Sequence, residues 1–414
     1  MELFGGVIPI KGVTFLMFAI FAIAAVGFSL GRITIKGVSL GDAGVFILAL
    51  VFGCFFYDTL SAQLMVGGVS YTSNALKIVE NLGLILFVTS VGFIAGPKFF
   101  GNMKRNFKSY VLLGFIVILF GGLAAVGCIY FGRATGVMED VKELTAMVVG
   151  LLSGSLTSTP AFSAAKSTVD PAYEEAVSVG HGIAYIFGVI GVVLFVQLIP
   201  KLMKADMEEE RKKLVIADTG SKKKAYTGKL IDMDGHGFMM FSLAAIVGVF
   251  VGMIKIPLSS EGLSGTCFSL TTTGGCLLAS LVFGHFGRCG CVNLMPKDST
   301  LKLFRELGLM LFLIGAGIAG GNGFLDLFNV EFFFYGVFMT IVPLIAGFLF
   351  AKYVLKLSLL NNLGSITGGM TSTPALGTLI NSSGTEDVAS AYAATYPVAL
   401  IAVVLVSQFL IILF

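Results

Sequence analysis

Long apolar runs, broken by short polar or glycine-rich stretches, recur along this chain in an order that repeats. In the first half they cover Thr14 to Leu30, Gly44 to Phe56, Asn81 to Gly96, Ser109 to Phe131 and Val177 to Ile199. In the second half, Phe238 to Met253 answers to the first run, and L-L-A-S-L-V-F-G-H-F around His285 answers to F-I-L-A-L-V-F-G-C-F around Cys54. Glu306 to Gly320 answers to the run from Asn81, and Phe332 to Ala351 and Val388 to Phe414 complete the set. Each run reads as a membrane span, since about 20 apolar residues cross the hydrocarbon core. Thr14 to Leu30 also has the look of a signal sequence, but its counterpart at Phe238 argues that it is retained.

Two stretches interrupt the pattern. Gly150 to Phe162 reads G-L-L-S-G-S-L-T-S-T-P-A-F and Gly364 to Leu376 reads G-S-I-T-G-G-M-T-S-T-P-A-L, with thirteen positions aligned and seven identical. Such residues cannot continue a helix, and the backbone groups they free are tolerated at membrane depth only around a cavity or inside protein. A Thr before a Pro marks a helix start, with Thr159 and Thr373 expected as caps and Pro160 and Pro374 at the first helical position. Roughly ten apolar residues precede each break, half of what a crossing needs, which predicts a re-entrant hairpin.

Composition agrees with this pattern. Of 414 residues, 56% are hydrophobic and 12% charged, with mean hydropathy +0.94, so the chain reads as a polytopic helical membrane protein. Fifty-three Gly suit close helix packing. Six Cys give no disulfide framework, and His285 with Cys289 and Cys291 makes only a partial metal set, so His285 is read as a packed helix-end residue. No metal or other cofactor is expected.

Lys201 to Gly235 is the one polar stretch, with nine Lys or Arg including Lys222, Lys223 and Lys224, and the positive-inside rule makes it cytoplasmic. This divides the chain into a first membrane repeat at 1–200, a linker at 201–235 and a second repeat at 236–414. Five crossings per half, with the interrupted segments re-entrant, put 21 of the 27 Lys and Arg inside. Five is odd, so the second repeat must enter the membrane in the opposite sense. The expected fold is therefore all-α, two inverted repeats of five transmembrane helices plus one re-entrant or broken helix each. The two tips then meet near the midplane.

A helix start offers unpaired N–H groups and a partial positive charge, which favour carboxylates. Two starts facing each other could hold both ends of a dicarboxylate, with Ser153, Ser155, Thr157, Ser158, Thr159 and Pro160 on one side and Thr367, Gly369, Thr371, Ser372, Thr373 and Pro374 on the other. The bland alternative is that these hydroxyls only satisfy broken-helix backbone. Tyr185 and Tyr396, in the A-Y-I and T-Y-P steps of the following spans, join the candidate site. Asp58, Glu80, Glu306 and Asp387 lie near span ends and read as solvated boundary residues, so no carboxylate-centred ion site is expected. Paired mid-span carboxylates, a nucleophile with a base and a phosphate-binding glycine loop are all absent, which argues against an enzyme.

The doubled G-x-x-[ST]-G-x-x-T-S-T-P-A-[FL] motif, the L-G-L-I-L-F and L-G-L-M-L-F pair and A-Y-I-F-G resemble the aspartate/alanine exchanger family over most of the chain. The resemblance implies exchange or export of acidic amino acids or small dicarboxylates such as aspartate or succinate, in a bacterial inner membrane. It also implies a fold related to sodium/proton antiporters and bile-acid carriers. Family members commonly carry two soluble regulatory domains in the central loop, and Lys201 to Gly235 is far too short for them. Ile186 also stands where the family pattern has Pro. Two other readings share this fold: a sodium- or proton-coupled carboxylate symporter, and an anion channel or membrane sensor using the tips as a filter. The expected partners are a small organic anion and the bilayer, in a homodimer, with no nucleic acid.

Overall fold

The computed structural model describes residues 2–3, 8–35, 38–39, 43–105, 107–214, 230–257, 267–385 and 387–414. The apolar runs become helices because backbone groups in hydrocarbon must bond within their own segment. In the first half these are α1 (Val13–Gly31), α2 (Ala43–Gln63), α3 (Thr72–Arg105) and α4 (Leu112–Thr135). The interrupted stretch is α5 (Val141–Ser155) and α6 (Thr159–Thr168), followed by the long α7 (Glu174–Leu202) and a short linker helix α8 (Met207–Lys212). The second half gives α9 (Phe238–Gly252), α10 (Thr271–Phe286), α11 (Asp298–Gly321), the single turn α12 (Phe324–Leu327) and α13 (Val330–Leu349). It closes with α14 (Leu359–Gly369), α15 (Thr373–Ser383) and α16 (Val388–Leu413). Residues 215–229, with the Lys222 to Lys224 run, lie outside the described residues.

Eight helices among the described residues are long and apolar enough to cross a membrane. The ten expected spans are thus eight of full length, with α9 and α10 shorter at 15 and 16 residues.

Small residues set the closest crossings. Where α3 meets α11, a Cβ on Gly83 would fall 2.6 Å from the Gly308 carbonyl oxygen, and a Cβ on Gly308 would fall 2.6 Å from that of Gly83. Only glycine lets these backbones touch. Around this crossing α2 lies on α11 and α10 on α3, while α1 covers α2 and α9 covers α10. The other half of the molecule pairs α5 with α7 and α14 with α16, and each pair is flanked by a helix from the opposite half of the sequence: α13 beside α5, α4 beside α14. The main core runs through this second group, around Leu113, Leu152, Phe162, Met339, Leu363 and Val403. Phe21, Phe55, Phe250 and Phe334 point outward and exposed, the surface expected of helices solvated by lipid.

The ends of α5–α6 return to one another. Asp140, just before α5, accepts a hydrogen bond from the Tyr173 hydroxyl, just after α6, at 2.7 Å. The segment is therefore a hairpin with its tip at 156–158. From Glu174, beside that open end, α7 runs 29 residues, about 43 Å. At its far end Met203 lines a cavity with Glu210, Ser358 and Leu359, the open end of the α14–α15 hairpin.

Candidate functional site

Both tips use the same local device. Thr157 and Thr371 sit at φ 51° and 52°, a left-handed conformation that a β-branched residue rarely adopts. What holds each there is the other hairpin: Thr157 Oγ1 donates to the Met370 carbonyl at 2.9 Å, and Thr371 Oγ1 donates to the Leu156 carbonyl at 2.9 Å. The two breaks thus satisfy each other's freed backbone, at positions that correspond in the sequence repeat.

The left-handed residue turns the chain one position earlier than the sequence suggested. Ser158 and Ser372, not Thr159 and Thr373, hold the extended N-cap position, so each Thr opens its helix and Pro160 and Pro374 stand second. Ser158 Oγ accepts from the Ala161 N–H at 3.3 Å. Ser372 makes no such bond, and its hydroxyl oxygen is buried without a partner. The side chains of Thr373 and Pro374 lie outside the described residues.

Most of the remaining hydroxyls are engaged with protein. Ser155 Oγ donates to the Gly336 carbonyl on α13 at 3.0 Å, and Thr367 Oγ1 to the Gly364 carbonyl at 2.8 Å. Gly369 packs on α4, where a Cβ would meet the Val117 side chain at 3.1 Å. Ser153 Oγ donates to the Gly150 carbonyl at 2.7 Å and lies 2.8 Å from His181 Nδ1. Thr159 and Pro160 are buried.

His181 is the residue that pattern reading missed. It is fully buried, stacks on Phe162 at 4.1 Å between ring centroids, lies 5.1 Å from the Tyr185 ring, and has no partner at Nε2. The available signal was its place four residues before Tyr185, one helical turn away and on the same face. Tyr396 keeps a similar neighbour, stacking on Tyr392 at 5.2 Å. Tyr185 thus lies on α7 and Tyr396 on α16, each one helical turn after an aromatic neighbour. His285 sits in the last turn of α10, half-buried.

One boundary carboxylate is misplaced by the sequence reading. Asp58, Glu306 and Asp387 are exposed, but Glu80 is buried and accepts from Lys166 Nζ at 2.9 Å, with the two side chains 10% and 6% exposed. The run K-I-V-E-N-L-G-L places Glu80 near the start of a span. Only the packing of α11, whose Gly315 lies against Glu80, and the reach of Lys166 from α6 show that it faces inward. At the opposite end of the molecule, Glu210 on α8 accepts from the Leu359 N–H at 3.2 Å, covering the start of α14, and from Lys213 Nζ at 2.8 Å.

A duplicated set of apolar helices with two broken hairpins joined at their tips defines a multi-pass membrane protein of the permease type. A family model described as a predicted permease membrane region matches residues 19–201 and again 240–412, so the chain belongs to that family, the aspartate/alanine exchangers. A Bacteroides thetaiotaomicron protein named as an uncharacterized transporter is 26% identical over 547 aligned positions, covering 94% of this chain and 97% of that one. One from Desulfotalea psychrophila, named likewise, is 25% identical over 95% of this chain and 96% of its own. These alignments extend well beyond 414 positions, so the relatives carry residues that this chain lacks. A Bacteroides fragilis protein with a similar name is 36% identical over 46% of the chain.

Proposed function

We propose that this transporter is a secondary carrier that exchanges or exports small organic anions, acidic amino acids or dicarboxylates such as aspartate or succinate, by alternating access across a bacterial inner membrane. The observation that carries the reading is the reciprocal tip contact of Thr157 and Thr371, because it joins two broken helices from corresponding halves at one place. Inverted repeats, 1–200 and 236–414 about the 201–235 linker, are supported by α7, which leads from the open end of one hairpin to the open end of the other. Hairpins entering from opposite faces would each open on one side, and rocking one group of helices against the other would expose the tips in turn. Two helix starts without a permanent cation at the tip can hold a carboxylate and release it again.

The test is counterflow in proteoliposomes against a panel of amino acids and dicarboxylates, joined to a double-mutant cycle. Thr157→Val and Thr371→Val should each weaken ligand-induced thermal stabilisation by about 1 kcal/mol, the worth of one hydrogen bond. Combined, their losses should depart from additivity by about 0.5 kcal/mol or more, because both bonds hold one junction. Saturable exchange with strictly additive losses would break the shared-tip reading, and continuous conductance without saturation would favour a channel.

A further inference from the structure

Glu80 and Lys166 are the only buried carboxylate and the only buried Lys or Arg among the described residues. They face a cavity of about 140 Å³ at the open end of the first hairpin, lined also by Tyr57, Lys77, Glu174 and Glu175. Ionisable groups inside a membrane protein are expensive and mark ion or substrate paths. Lys166 also lies 5.9 Å above the Phe162 ring, which stacks on His181, which in turn contacts Ser153. The pair therefore stands at the outer end of a continuous line of contacts leading to the tip.

We propose that this pair opens to ligand: an incoming carboxylate takes Glu80's place on Lys166, and Glu80 binds a proton. The proposal rests on the carrier reading above and adds its coupling ion. The balance is simple. A carboxylate anion and one proton arrive, the Lys166 ammonium exchanges one carboxylate partner for another, and Glu80 becomes a neutral carboxylic acid, so no covalent bond other than O–H forms.

The surroundings decide why Glu80 takes the proton. Within the cavity Glu174 already holds Lys77 at 3.0 Å on α7's first turn. Glu175 beside it has a buried oxygen without a partner and offers no cation. Tyr57 from α2 offers a hydroxyl and no cation, α11 contributes Ala319, and Asn322 follows just past its end. Released from Lys166, Glu80 has no other free cation in the cavity to accept it, and a buried carboxylate without a partner protonates.

The experiment is isothermal calorimetry of succinate binding to the purified full chain in nanodiscs, in buffers of different ionisation heat. Wild type should take up about one proton per succinate, and its Kd should tighten as pH falls, up to about tenfold per pH unit, the one-proton limit. Glu80→Gln should bind succinate without proton uptake and with a flat pH profile, while Glu80→Asp restores both. Thermal unfolding of each variant reports whether it folds. Succinate binding to wild type without proton uptake overturns the proposal, as does an unchanged pH profile in folded Glu80→Gln. Should no organic anion bind or exchange at all, the carrier reading fails instead.

Discussion

The two hairpins share their tip geometry and differ at their open ends. Aligned through the Thr-Ser-Thr-Pro motif, Lys166 of α6 corresponds to Ile380 of α15, and through the L-G-L repeat Glu80 corresponds to Arg305, which is half-buried beside the exposed Glu306. The first hairpin therefore ends in a buried ion pair and the second in an apolar residue. Its second difference lies in what closes it. Asp140 clips the first hairpin to Tyr173, whereas the second is met by α8, with Glu210 on Leu359 and the Arg211 guanidinium near Gly384. The two copies keep the part that must satisfy broken backbone and differ at the ends, where each hairpin meets different neighbours.

The largest effect expected to test this contrast is Lys166→Met, which leaves Glu80 buried without its cation. It should cost about 3–5 kcal/mol of stability, the range for breaking a buried pair from one side. Ile380→Met at the matching place keeps volume and polarity and should cost less than about 1.5 kcal/mol. Denaturant unfolding in mild detergent compares the two, and equal losses would mean that the ion pair carries no special weight.

A smaller asymmetry lies at the caps. Ser158→Ala removes a bond to Ala161 and should cost about 0.5–2 kcal/mol. Ser372→Ala removes none, so its thermal midpoint should stay near wild type, with any effect confined to ligand affinity. A larger stability loss for Ser372→Ala would show that its hydroxyl has a structural duty.

The smallest effect concerns acid. The Tyr173 hydroxyl, with the Lys142 and Glu143 N–H groups, holds the Asp140 carboxyl below the ordinary carboxylate range. A lowered folded value means stability present above the ordinary value of about 3.9 and lost as pH falls through the folded one. Asp140 is exposed, so the effect should be slight. Acid titration of wild type against Asp140→Asn should show the difference between them narrowing as pH drops below about 4. A constant gap across that range would remove the clip from the account.

Much of this molecule was legible in the order of its residues. Hydrocarbon forces helices wherever apolar runs are long enough, so the spans followed from composition and length, and the doubled Thr-Ser-Thr-Pro motif marked both breaks because Pro and small polar residues cannot continue a helix there. The cap was read one residue late because the left-handed turn at Thr157 and Thr371 depends on a carbonyl from the other hairpin, more than 200 residues away. The same holds for charge. Sequence could place Glu80 near a helix end but not tell which way it faced, since burial is set by what packs against it, here α11 at Gly315 together with Lys166 from α6. His181 likewise looked like any helical residue until Phe162 was laid over its ring. Local chemistry determined where the chain could be helical and where it must break; which broken ends satisfy one another, and which charges are left inside, depended on long-range contacts that no local pattern encodes.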